Sequence, residues 1–207
     1  ALAGGAGPDI IGTPGPSFVY ELAAAGQLLP LDDFVDTLGW DETIAPWALS
    51  LGKVDGKLYS LPDELETLIL YYNKTLFDAN GWAPPTTMEE MTALAETIKA
   101  AGIIPFSHEN SDWRPTNEWF VGEWLNHVAG PDKVYQALTG KIGWDDPDFV
   151  AAIESLNEYQ QNGYFMGGLE FYYTSSREEV LTALATGEAA MNIEGTWRAR
   201  SDRYLLY

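Results

Sequence analysis

Strand-like and helix-like segments alternate along the whole chain, and that alternation predicts an α/β fold with largely parallel strand pairing. Two further observations bear on it. The stretch LYSLPDELETLILYYNK (58–74) is turn-rich and acidic up to Glu66. It then becomes T-L-I-L-Y-Y, which reads as a buried strand, before Asn73 and Lys74 open a helix. One α/β pattern precedes this strand and another follows it, which makes it a natural hinge between two globular units, with Glu66 where the units would face each other. Composition agrees: 207 residues, 46% of them hydrophobic, with eight Trp, eleven Tyr and eight Phe, are enough for one large or two small domains with a real core.

Taken in order, residues 8–13 (PDIIGT) form a short apolar strand that closes in T-P-G-P. Residues 17–25 carry Phe18, Leu22 and Ala25 at helical spacing and stop at Gly26. Residues 31–38 and 41–51 read as two short helices, the second capped by Asp41. Lys53 to Leu58 is a hairpin, because Asp55-Gly56 suits the positive φ angles of a tight primed turn. After the central strand, Thr87 and Glu90 make a capping box for a helix that carries Met91, Leu94, Ala95 and Ile98 and ends at Gly102. Residues 103–106 are a strand, HENSDWRPTNEW is a polar loop, and 117–129 is an amphipathic helix. Residues 147–162 form another helix, with Asp146 as cap and Pro147 in its first turn, and Ser176 with Glu179 caps one more that ends at Gly187. Residues 189–193 are a strand, followed by E-G-T-W.

The balance of 11 basic against 31 acidic residues gives a net charge of −20, which repels phosphate backbones and anionic membranes, so nucleic acid is not an expected partner. There is no cysteine for a disulfide or a thiolate metal site, and no run approaches the roughly 20 apolar residues of a membrane-spanning helix. His108 and His127 lack the pairing of a zinc site. Asp145, Asp146 and Asp148 are interrupted by Pro147 and read as helix capping rather than calcium ligands. No G-x-S-x-G, P-loop or G-x-G-x-x-G is present, so neither a metal nor a cofactor is predicted.

Aromatic residues in polar loops carry the functional signal. A pyranose ring has apolar C–H faces and a polar rim, so holding one takes flat aromatic surface together with carboxylate, amide or guanidinium groups. Trp113 beside Arg114 offers both, and Trp197 follows a glycine beyond a strand end. Trp40, Trp47, Trp119, Trp124 and Trp144 lie in or beside apolar patterns and read as core. In the loop after residues 8–13, the backbone of Gly15, the ring of Pro16 and the hydroxyl of Ser17 could reach a ligand. By themselves these residues favour an ordinary helix entry with Pro in the first turn. The carboxylate of Glu66 would accept hydrogen bonds from a ligand that touches both units.

The run LPDELETLILYYNKTLFDANGWAPPTTMEEM resembles the crossover segment of the family 1 extracellular solute-binding proteins, the carbohydrate-binding subunits of ABC importers. The P-D-I strand and the G-E-A-A-M-x-x-E-G-x-W ending extend the resemblance over nearly the whole chain. It implies a two-lobed periplasmic-binding-protein-like fold of type II. Residues 1–66 would be part of the N-terminal lobe, 67–73 the hinge crossover strand and 74–207 part of the C-terminal lobe. It implies sugar contacts from Gly15, Pro16 and Ser17, and sugar stacking on Trp113 and Trp197 beside Arg114 and Glu66. The partners implied are a carbohydrate ligand, on which the lobes close without turnover, and a membrane permease that recognises the closed form. The full-length protein would be a monomer without cofactor, periplasmic or extracellular, and held at the cell surface if a lipoprotein. The resemblance further implies a longer protein, with the 207 residues incomplete at both ends and prone to association when expressed alone.

Two other classes share parts of this pattern. A glycosidase would use a carboxylate pair, and Glu64 with Glu66, alternating on one face of an extended segment, is the pair to test. An acidic interaction module would share the charge without the sugar affinity.

Overall fold

The chain divides into two units, Ala1–Leu65 and Glu66–Tyr207. The computed structural model describes residues 4, 7–13, 15–64, 66–108, 111 and 116–200, the side chains of 116–119 and 199–200 excepted.

Proline and glycine punctuate the first unit. Helix α1 (Pro16–Ala24) starts with Pro16, whose fixed φ suits a first helical position and whose missing N–H is no loss there. Helix α2 (Asp32–Leu38) stops at Gly39 in the left-handed region, at φ 65°. The single helix expected over 41–51 is two, α3 (Trp40–Thr43) and α4 (Pro46–Leu51). Pro46 drives the residue before it out of the helical region, and Ala45 has ψ 132°. Asp41 therefore lies inside α3 and is not its cap. Strands β1 (Lys53–Val54) and β2 (Lys57–Leu58) pair antiparallel around Asp55 and Gly56, both at positive φ as the Asp-Gly turn predicts. The Leu58 N–H donates to the Asp32 carboxylate at 3.2 Å and ties the hairpin to α2.

Residues 8–13 are not a strand, and Ile10 is 90% exposed. Among the described residues of this unit the only ladder is the β1–β2 hairpin, whose strands bond to each other. An extended segment without a ladder leaves its backbone groups to water.

In the second unit, strands β3 (Leu68–Tyr72), β4 (Ile104–Phe106) and β5 (Ala189–Gly195) form a sheet in the order β3-β5-β4. β4 runs parallel to β5, as expected, but β3 runs antiparallel, with Leu68 opposite Gly195 and Tyr72 opposite Met191. β3 is also not the buried strand its composition suggests. It flanks the sheet, and Ile69 and Tyr72 are 40% and 37% exposed.

Helices α5 (Lys74–Asn80), α6 (Met88–Ala100), α7 (Thr116–Val128), α8 (Pro131–Leu138), α9 (Pro147–Gln161), α10 (Gly168–Tyr172) and α11 (Arg177–Thr186) complete the unit. Of these, α8 and α10 occupy stretches without a clear sequence signal. Ser176 and Glu179 close a reciprocal capping box on α11. At α6, the Thr87 hydroxyl accepts from Glu90 N–H, while the Glu90 carboxylate reaches one residue further back, to the Thr86 N–H at 2.8 Å.

Phe77, Ile98, Phe106, Trp124, Tyr159, Phe165 and Met191 pack into one core. Trp124 is buried as expected, whereas Trp47 and Trp144 are 54% and 52% exposed. In α4 it is Ala48 and Leu49 that turn inward, and Trp144 lays its ring against Phe149, at 5.2 Å between centroids. Trp40 is half-buried, and the side chain of Trp119 lies outside the described residues.

Asn73 ties α5 to α11. Its Oδ1 accepts from Leu76 N–H at 2.9 Å and caps α5, and its Nδ2 donates to the Leu184 carbonyl of α11 at 2.8 Å. Asn73→Ala is expected to destabilise the protein by about 1–3 kcal/mol, combining a lost cap with an unmade buried hydrogen bond. Urea unfolding with an unchanged midpoint would contradict this role.

Candidate ligand-binding site

Because β4 and β5 are parallel and β3 is antiparallel, the last residues of β4 and β5 and the first of β3 come to one end of the sheet. That end is where α/β sheets bind ligands. Two bonds lock it: Thr196 N–H donates to the Thr67 carbonyl at 2.9 Å, and Thr67 N–H to the Thr196 hydroxyl at 3.2 Å.

Side chains alternate along β5, so Asn192 and Glu194 share one face with Tyr71 of β3. Asn192 is buried and donates from Nδ2 to the Ser107 carbonyl at 2.8 Å. The Tyr71 hydroxyl donates to the Gly195 carbonyl at 3.0 Å. Among the described residues the buried Asn192 Oδ1 and Ser175 Oγ find no hydrogen-bond partner. Such groups cost about 1–3 kcal/mol each, a cost that functional sites carry. An apolar groove of about 190 Å³, lined by Leu68, Leu70, Met88, Met91, Trp124 and Ile193, shares none of these polar groups.

His108 follows β4 directly. It is 4% exposed, stacks on Phe120 at 4.1 Å and lies 4.8 Å from the Tyr172 ring. Burial lowers its pKa from 6.5 to about 3, so the imidazole is neutral. The sequence places it in a polar loop. The structure makes it part of the aromatic core.

The predicted site residues separate. Glu66 is exposed at the start of the second unit, and Trp197 lies in a 3-10 turn (Thr196–Arg200) after β5. Both therefore flank the same strand ends. The indole of Trp197 lies against Gly195, in the space a side chain there would fill, so only glycine fits beneath it. Gly15, Pro16 and Ser17 belong to the first unit, where Gly15 precedes α1 without a side-chain cap and Pro16 and Ser17 are exposed. Trp113 and Arg114 lie outside the described residues. Sequence reasoning missed Ser107, Asn192, Glu194 and Arg198. The signal for two of them was the polar alternation inside the apolar strand A-A-M-N-I-E-G.

Among the described residues no group of three or more His, Asp or Glu could hold a metal ion, and no helix is long and apolar enough to cross a membrane.

The sequence profile of the bacterial extracellular solute-binding proteins matches residues 1–201. The chain belongs to that family. Among relatives of this solute-binding protein, the diacetylchitobiose binding protein of Streptomyces coelicolor is 30% identical over 174 residues, covering 81% of this chain and 37% of that protein. The alpha-glucosides-binding periplasmic protein of Rhizobium meliloti is 29% identical over 178 residues, covering 79% and 38%. Among solved structures, a chitin oligosaccharide binding protein superposes with a TM-score of 0.81 at 28% identity, covering 96% of this chain and 49% of that one. The architecture is thus of the periplasmic-binding-protein type. The chain spans about two-fifths of the length of the curated relatives it matches.

The unfolded chain protonates His108 near pH 6.5, and the folded protein only near pH 3. The unfolded state therefore binds more protons at His108 between these values, and the contribution of His108 to stability is full above pH 6.5 and is lost as pH is lowered towards 3. His108→Phe, which keeps the stack, is expected to flatten this part of the melting-temperature profile. A profile parallel to the parent's would show that His108 does not titrate on unfolding.

Proposed function

We propose that the whole protein binds a sugar or oligosaccharide without turning it over and passes it to the permease of an ABC importer. The observation that carries this reading is the sheet end of the second unit, where the Trp197 indole lies over Gly195 beside buried polar groups. Apolar ring surface next to hydrogen-bonding groups is what a pyranose demands. The sugar-binding names of relatives in the family support the same ligand class. In this reading 1–66 and 74–207 are parts of two lobes, 67–73 is the hinge, and the lobes close on the sugar. Gly15, Pro16 and Ser17 approach it from one lobe, and Trp113, Arg114 and Trp197 from the other, with Glu66 at the hinge. The protein works outside the cytoplasmic membrane as a monomer, anchored if a lipoprotein, and is not an enzyme.

Calorimetric titration of the full-length protein with diacetylchitobiose, maltotriose and xylotriose tests this. Binding of at least one, with the sugar recovered intact, is the expected result. Release of shorter sugars would instead favour a glycosidase, and Glu64 with Glu66 would then be the pair to mutate. Trp197→Ala is expected to lose a few kcal/mol of affinity, whereas Trp124→Ala, at a fully buried position, should cost about 3–5 kcal/mol of stability. Glu66→Gln should weaken binding by about 1.5–3 kcal/mol, the range for hydrogen bonds to charged groups, and an unchanged affinity would remove it from the site.

A further inference from the structure

We infer that Glu194 and Arg198 are positioning residues, a buried ionic clamp that holds the Trp197 indole in place. The inference rests on the reading of Trp197 as a sugar-stacking surface. Glu194 is the next-to-last residue of β5, opposite Ile69, and Arg198 lies in the turn that follows, so the pair brackets Trp197 from both sides. Arg198 Nη2 donates to Glu194 Oε2 at 3.3 Å, and the side chains are only 12% and 6% exposed. The other carboxylate oxygen, Oε1, accepts from Gly195 N–H at 3.4 Å.

The two residues that lead into Trp197 are also tied down. The Gly195 carbonyl accepts from Tyr71, and Thr196 bonds Thr67 through its backbone and its side chain. The indole itself rests on Gly195. A turn closed in this way gives the ring one orientation.

Stability is a poor reason for such a pair. Taking two charges out of water costs about as much as their attraction returns. Here, moreover, the buried Arg198 Nε has no partner among the described residues, so the guanidinium is only partly satisfied. What the pair does supply is geometry: with Glu194 fixed in the sheet, the bond to Arg198 sets where the turn runs and so where the indole lies.

The test is a double-mutant cycle in the full-length protein, with affinity for diacetylchitobiose and maltotriose as readout. Glu194→Gln is expected to weaken binding at least tenfold when Trp197 is present and less than twofold in the Trp197→Ala background. Equal losses in both backgrounds would overturn the clamp. A Trp197→Ala protein that binds as tightly as its parent sinks the stacking reading, and the clamp is then decided without ligand. Acrylamide quenching of Trp197, taken as the difference between each protein and its Trp197→Phe counterpart, should at least double in Glu194→Gln. An unchanged quenching constant would overturn the inference. Should Glu194→Gln fail to fold, Arg198→Lys, which keeps the charge but lacks the guanidinium fork, carries the same two measurements with the same expected outcomes.

Discussion

The second unit depends on the register of β5. This strand bonds to β3 on one side and β4 on the other, and every residue from Ala189 to Gly195 except Ile193 is buried. Its two faces have different tasks. Met191 and Ile193 meet Phe106 and Leu70 in the apolar core, while Asn192 and Glu194 face the buried polar cluster. A slip of one residue would exchange these faces and push two polar side chains into the aromatic core, so the register is strongly determined. The same register brings the ends of β4 and β5 to the start of β3, and the candidate site follows from it.

Aromatic stacking supports that end of the sheet from the core side. Phe120 packs on Trp124 at 4.7 Å, Trp124 on Tyr159 at 5.1 Å, and His108 on Phe120, which joins the end of β4 to α7 and α9. Backbone bonds reinforce the joint: Phe106 N–H donates to Tyr164, Met166 N–H to Phe106, and Ser107 N–H to Met191. The chain thus enters residues 109–115, which carry Trp113 and Arg114, from a fixed stem. A neutral imidazole suits this place because it stacks like an aromatic ring, and burial keeps it uncharged.

The sequence by itself determined what local chemistry decides. Asp55-Gly56 specifies its turn because few residues tolerate positive φ, and Ser176 with Glu179 specifies a helix start because a hydroxyl and a carboxylate meet the first orphan N–H groups. The motif order from the P-D-I segment to E-G-T-W carries the family, and Trp197 stands out as an aromatic beyond a strand end. Strand direction, burial and partnership belong to the tertiary structure. Nothing local in T-L-I-L-Y-Y says that it runs antiparallel at the flank of a sheet, nor in PDIIGT that it finds no ladder among the described residues. His108 reads as a loop residue because its neighbours in sequence are polar, yet its neighbours in space are Phe120, Phe165 and Tyr172. Trp47 and Trp144 read as core from apolar surroundings, but which side of a short helix or loop turns inward depends on packing partners far along the chain. The ion pair of Glu194 with Arg198 needed the fold as well: four residues apart across the end of a strand, their side chains meet only because the 3-10 turn that begins at Thr196 brings them together.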